Sequence, residues 1–200
     1  MSEPIAAPVC GPDLSISGKR HVPGDASVWV FVIGDMVIFT AYFGAYLSDR
    51  AHNHDLFLKS QQHLSQTVGV INTLMLLTSS LFVALSVQAA RAADLRVASR
   101  FLTLGGACGA GFALIKSYEW YLKLSAGLAI SSNAFFMHYY MMTSVHFFHV
   151  LLGLVILWVL RRELHGPTAP RIQLLETGAT YWHMVDFLWI LIFALVYLMR

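Results

Sequence analysis

The sequence predicts an all-α integral membrane protein with five transmembrane helices in one bundle. Three observations carry that reading. Of the 200 residues, 57% are hydrophobic and only 12% charged, roughly half the charged fraction usual in soluble domains. Five apolar runs each reach the ~20 residues that a helix needs to cross a hydrocarbon core of about 30 Å. The few ionisable side chains inside these runs recur at helical spacings, so they share faces that point into protein and not into lipid. The formal net charge of +2 gives no basis for a nucleic-acid partner. Cys10 and Cys108 form no CxxC pair and suggest no disulfide framework.

Residues 1–22 read as a polar cytoplasmic tail, with Pro4, Pro8 and Pro12 and no apolar core of a signal peptide. Residues 23–200 read as the five-helix domain. The Pro23–Ser27 stretch starts the first helix, with Asp25 or Ser27 as cap. That helix runs to about Leu47, and its one charge beyond the first turn is Asp35, isolated near its middle.

Residues 48–66 read as the longest loop. Its His52, His54 and His63 meet no metal-ligand spacing rule and are expected to be a solvated cluster. The second helix spans about Thr67 to Ala90, and its Asn72, Thr73 and Ser79 supply the small and polar surface that favours close helix packing. The third spans about Phe101 to Leu124. Gly105 and Gly109 form a small-xxx-small pair where another helix is expected to cross, and Lys116 and Glu119 are spaced to pair. The fourth spans about Asn133 to Leu160 and holds His138, His146 and His149. The fifth begins at about Thr177 and places His183 and Asp186 on one face.

Five spans put the termini on opposite sides. The tail and the loops after the second and fourth helices hold eight Lys and Arg, against four on the other side. The positive-inside rule then puts the N-terminus in the cytoplasm. No internal repeat is evident, which weakens a transporter reading.

The intramembrane polar set is Asp35, Glu119, His146, His149, His183 and Asp186, with Lys116 nearby. Three readings compete for it. A haem site would need histidines at matching depth on two helices, and the last helix offers only His183. His146-Phe147-Phe148-His149 does not match the Glu-x-x-His of bundle di-iron sites, and HExxH is absent. A proton or ion path would use such groups but needs a chain of them reaching both faces. The third reading is structural: carboxylates and histidines pair between helices and hold the bundle, as expected for Glu119, His149 and Asp186.

The same positions resemble subunit III of the haem-copper oxidases. Glu176, Gly178, Ala179, Tyr181-Trp182-His183, Val185, Asp186 and Trp189 look like that family's closing signature. His146, His149, Val150 and Gly153 resemble its His-x-x-His-Val-x-x-Gly, and Ile71-Asn72-Thr73 its Leu-Asn-Thr. Glu119 precedes an aromatic residue as in the family, and Asp35 stands where the family carries an intramembrane carboxylate, usually Glu. Long members have seven helices, whereas this chain has the last five.

Among five-helix forms, the runs Asn72–Ser80, Lys116-x-x-Glu119 and Tyr181–Asp186 look most like the NorE-like accessory protein of nitric oxide reductase. The alternative within the family is subunit III of a bacterial cytochrome c or quinol oxidase. Outside it stand a membrane b-type cytochrome and a transporter. The resemblance implies an accessory subunit with no catalytic centre and no redox cofactor of its own. Haem, with copper or non-haem iron, would sit in a large catalytic partner subunit. Membrane phospholipid is a further expected associate. The implied location is the bacterial inner membrane, and the implied role is support of assembly, stability and proton uptake.

Overall fold

The computed structural model describes residues 26–166 and 171–199. The polar tail, the cap expected of Asp25, the prolines Pro167 and Pro170, and Arg200 lie outside the described residues. Six α-helices follow one another: α1 (Ala26–His52), α2 (His54–Gln61), α3 (Gln66–Arg91), α4 (Leu95–Ser125), α5 (Ala134–Leu164) and α6 (Ile172–Phe193), which passes into a π-helical segment at Ala194–Leu198. No strand occurs among the described residues. Five of the helices, all but α2, are long and apolar enough to cross a membrane.

The helices outrun the apolar stretches that announce them. α4 starts at Leu95 and not at Phe101, and α6 at Ile172 and not at Thr177. Charged residues at the membrane surface end an apolar run without ending a helix. What starts α4 is Asp94, whose Oδ1 accepts from Val97 N at 3.1 Å. The chain reaches that cap through Ala93 in the left-handed region, at φ 61°. Asn133 starts α5 in the same way, its Oδ1 accepting from Phe136 N at 2.9 Å.

The expected loop 48–66 is largely helical. α1 continues to His52, and α2 forms because Phe57 and the following Leu64 are buried against the bundle. Its histidines do not assemble: among the described residues no group of three or more His, Cys, Asp or Glu side chains could hold a metal ion.

The bundle is built around α6. Of its apolar window, 61% is buried, against 11% for α1. Trp182, Val185, Leu188, Trp189 and Ile192 of α6 are inaccessible to solvent. α3 and α4 form an antiparallel hairpin, and α6 packs on α3 and α5. Gly105 sits where α3 and α4 cross: a Cβ there would meet Val83 Cγ2 at 3.0 Å and Ser79 O at 3.2 Å. Ser79 Oγ donates to Gly105 O at 2.7 Å, which closes that crossing.

Gly109 serves α6 instead. A Cβ there would lie 2.6 Å from the Trp182 ring, and one on Gly153 of α5 would lie 2.6 Å from the same ring. The two glycines form a slot for the indole, whose Nε1 donates to Ser79 Oγ at 3.0 Å.

Candidate functional site

The polar residues at membrane depth fall into separate groups. The densest lies at the end of α4. Lys116 Nζ donates to Glu119 Oε2 at 3.1 Å, to Tyr139 OH of α5 at 3.0 Å and to Tyr197 OH of the π-helical segment at 2.9 Å. Lys123 Nζ lies 3.1 Å from Glu119 Oε1. Tyr197 OH lies 2.8 Å from that same oxygen, and Tyr139 OH 3.2 Å. The ammonium of Lys116 also faces the rings of Tyr139, Trp189 and Tyr197 at 4.8, 5.2 and 5.4 Å, an arrangement that stabilises a desolvated cation.

Each element places its residue by spacing. On α4, Lys116, Glu119 and Lys123 follow one face at i, i+3 and i+7. Tyr197 reaches the group from the π-helical segment. The wider turn of a π-helix alters which backbone carbonyls are free, and three of those carbonyls are held by side chains. Tyr46 OH donates to Leu195 O at 3.2 Å, Gln61 Nε2 to Val196 O at 3.1 Å and Gln66 Nε2 to Tyr197 O at 3.0 Å. Gln61 Oε1 accepts from Arg50 Nη1 at 3.1 Å. The short helix α2 thereby ties α1 to the end of α6.

A second group tethers α1 to α5. His149 Nε2 lies 3.1 Å from Asp35 Oδ2, and His138 Nε2 lies 2.7 Å from Asp49 Oδ2. The reading of Asp35 as isolated is therefore corrected. Its side chain faces α5 and shares a proton-bearing contact with an imidazole, because α1 and α5 run antiparallel at that level. His149 Nδ1 lies 2.8 Å from Val145 O, and Tyr181 OH donates to His149 O at 3.2 Å.

A third group lies along α6. His183 Nδ1 lies 2.6 Å from Ser80 Oγ on α3, and His146 Nε2 lies 3.1 Å from Val185 O. Trp189 Nε1 donates to Thr73 Oγ1 at 3.1 Å. Asp186 is buried beside these contacts, yet neither carboxyl oxygen makes a hydrogen bond among the described residues, and neither does the amide of buried Asn72. The expected pairing of Asp186 between helices rests on Ser80 of α3 alone, whose hydroxyl neighbours the carboxyl and also lies 2.6 Å from His183 Nδ1. At the opposite end of the bundle, Arg91 grips Glu176 Oε1 with Nε at 2.9 Å and Nη2 at 2.8 Å.

The structure brings Lys116 and Glu119 together, and Asp35 with His149. It keeps His183 and Asp186 apart from both groups. Sequence reasoning missed Lys123, Tyr139, Tyr197, Asp49 and His138 as partners. The i, i+3, i+7 spacing of Lys116, Glu119 and Lys123 carries a signal for the first of these. The tyrosines carry none, since their contribution depends on how α5 and α6 are rotated.

Each of the four histidines of α5 and α6 engages a protein group on another helix: His138 with Asp49, His146 with Val185, His149 with Asp35 and His183 with Ser80. The arrangement holds helices to one another through histidine and tyrosine contacts and the Arg91–Glu176 pair, while Lys116, Glu119 and Lys123 pair within α4.

Comparison with known proteins agrees with this architecture. The chain is 30% identical over 174 residues to cytochrome c oxidase subunit 3 of Thermostichus vulcanus, covering 85% of this chain and 84% of that one. It is 28% identical over 194 residues to cytochrome c oxidase subunit 3 of Bacillus sp. (strain PS3), covering 92% and 88%. It is 30% identical over 186 residues to the haem-copper oxidase subunit I+III of Aeropyrum pernix, covering 86% of this chain and 22% of that longer one. These names belong to oxidases and do not support the preference for the nitric oxide reductase branch. The sequence model described as cytochrome c oxidase subunit III matches residues 25–200, from the first turn of α1 to the last residue, and on that match the chain belongs to the cytochrome c oxidase subunit III family.

Proposed function

We propose that the chain is a non-catalytic accessory subunit of a haem-copper oxygen reductase, placed in a bacterial inner membrane with its N-terminus in the cytoplasm. The observation that carries this is the family match over residues 25–200, joined to a polar interior whose lysines and histidines engage other protein groups. Oxidase names among the relatives favour an oxygen reductase. The fused subunit I+III of Aeropyrum pernix supports a catalytic subunit I as the partner.

In this reading the chain contributes rigidity. Hydrogen bonds from Lys116 and Glu119 to Tyr139 and Tyr197, with the Asp35–His149 contact, fix the register of α1, α4, α5 and the end of α6, and a rigid flank steadies the catalytic subunit during turnover and proton uptake. Haem and copper reside in that partner. A role at the same place beside a nitric oxide reductase is the second reading, favoured by the runs Asn72–Ser80 and Tyr181–Asp186.

Affinity purification from native membranes in mild detergent tests both. Co-purification of a haem- and copper-bearing subunit, with oxygen consumption, is the expected result. A large subunit carrying non-haem iron and reducing nitric oxide would establish the second reading. A Soret band that stays with this chain after the large subunit is stripped away would overturn the accessory role.

A further inference from the structure

The α4 cluster holds two lysines and one carboxylate. Lys116 spends its three ammonium hydrogens on Glu119, Tyr139 and Tyr197. Lys123 lies 3.1 Å from Glu119 Oε1, and its two other donors meet no acceptor among the described residues. The Tyr139 ring faces its ammonium at 5.7 Å, which softens the charge without neutralising it. The side chain is 8% exposed, so water compensates little of it. A buried charge without a full counter-charge is strongly unfavourable. The chain by itself is therefore one carboxylate short at this point.

The ammonium borders an open cavity of about 390 Å³ between the start of α3 and the end of α4. Val68, Ile115 and Leu122 give that cavity an apolar wall. Tyr118 and Leu122 of the same wall are 63% and 48% exposed on the outside of the bundle. Two unspent donors thus sit at the back of an apolar recess that opens sideways from α4.

We propose that a membrane-spanning helix of the catalytic complex docks in this recess and sets one carboxylate against Lys123. The inference deepens the accessory-subunit reading and rests on it. The two oxygens of a carboxylate match the two unspent donors, and the apolar face of such a helix covers Val68, Ile115 and Leu122. Between membrane helices, burying apolar surface gives no preference over lipid. A carboxylate that must find its cation gives one, because an unpaired charge at that depth is costly in every other register. Tyr118 offers the broad, stiff contact surface typical of interface anchors. A water-borne anion would supply the charge and leave the apolar wall uncovered.

The test uses the complex purified in mild detergent. A zero-length carbodiimide condenses a lysine ammonium with a carboxylate that touches it, and mass spectrometry of the peptides identifies the pair. The expected product joins Lys123 to an Asp or Glu in a membrane-spanning segment of the large subunit. Lys123→Gln is expected to retain at least about tenfold less large subunit through detergent washing, as for loss of one member of a buried interfacial charge pair. Lys123→Arg retains it. Tyr118→Ala, on the exposed face and outside the cluster, also lowers retention, whereas Leu151→Ala on the exposed face of α5 does not. Unchanged retention in Lys123→Gln, or Lys123 joined only to Glu119 of its own chain, would overturn the docking site and leave the accessory reading in place. Absence of any large subunit from the wild-type preparation would overturn that reading instead. Retention that is lost on delipidation and restored by phosphatidylglycerol alone would replace the partner carboxylate with a lipid phosphate, and so overturn the proposal.

Discussion

His149 Nε2 stands 3.1 Å from Asp35 Oδ2, and this contact joins α1 to a bundle that otherwise buries little of it. The pair is nearly buried, with the two side chains 11% and 13% exposed. Removing one partner leaves the other without its contact, at a cost of about 1–3 kcal/mol. Asp35→Asn keeps a hydrogen-bonding group in place, so it is expected to assemble and to lose activity during prolonged turnover. Asp35→Ala is expected to loosen α1. Limited proteolysis of α1 and the decay of oxygen consumption over many turnovers check the two variants. Wild-type behaviour of Asp35→Asn over prolonged turnover would show that a hydrogen bond of either kind suffices.

Glu119 holds two lysines, so its loss is expected to be the most damaging of the cluster. Glu119→Leu leaves Lys116 fully buried without its counter-charge, and breaking a buried pair in this way costs about 3–5 kcal/mol. The triple variant Lys116→Met, Glu119→Leu, Lys123→Met removes all three charges and is expected to recover much of that loss. Unfolding in mixed micelles of Glu119→Leu and of the triple variant measures the recovery directly.

Trp182 fits between two helices only because Gly109 and Gly153 lack a Cβ. Gly109→Ala and Gly153→Ala are each expected to lower stability by about 1–3 kcal/mol through overpacking. Gly106→Ala is the control on the same helix, since nothing lies within 4 Å of the added methyl, and it is expected to be neutral or slightly stabilising. Melting temperatures of the three variants separate a specific slot from a general intolerance of α4 to larger residues.

Gln61 links α1, α2 and the π-helical segment through Arg50 and the Val196 carbonyl. Gln61→Leu keeps the volume but removes both contacts, and is expected to cost about 1–3 kcal/mol. The loss should be local. Faster amide hydrogen exchange over residues 194–198, with little change in α3 and α4, is the expected signature. Uniform acceleration across the chain would show that the link holds the whole bundle and not its end.

The sequence by itself determined the number of spans, the membrane environment and the family. Apolar run length and residue type are local properties, and they survive whatever the helices pack against. It also marked Asp35, Glu119, His146, His149, His183 and Asp186 as unusual, because an ionisable group at membrane depth needs a reason. Helix ends were less legible: the helices outrun the apolar runs, α4 beginning at Leu95 on the Asp94 cap and α6 at Ile172 without a side-chain cap. Only the tertiary structure decided which groups meet. Asp35 finds His149, Lys123 joins Lys116 on Glu119, and Asp186 comes to lie beside Ser80. Those outcomes depend on the rotation and register of one helix against another, and a periodicity within a single helix does not encode them.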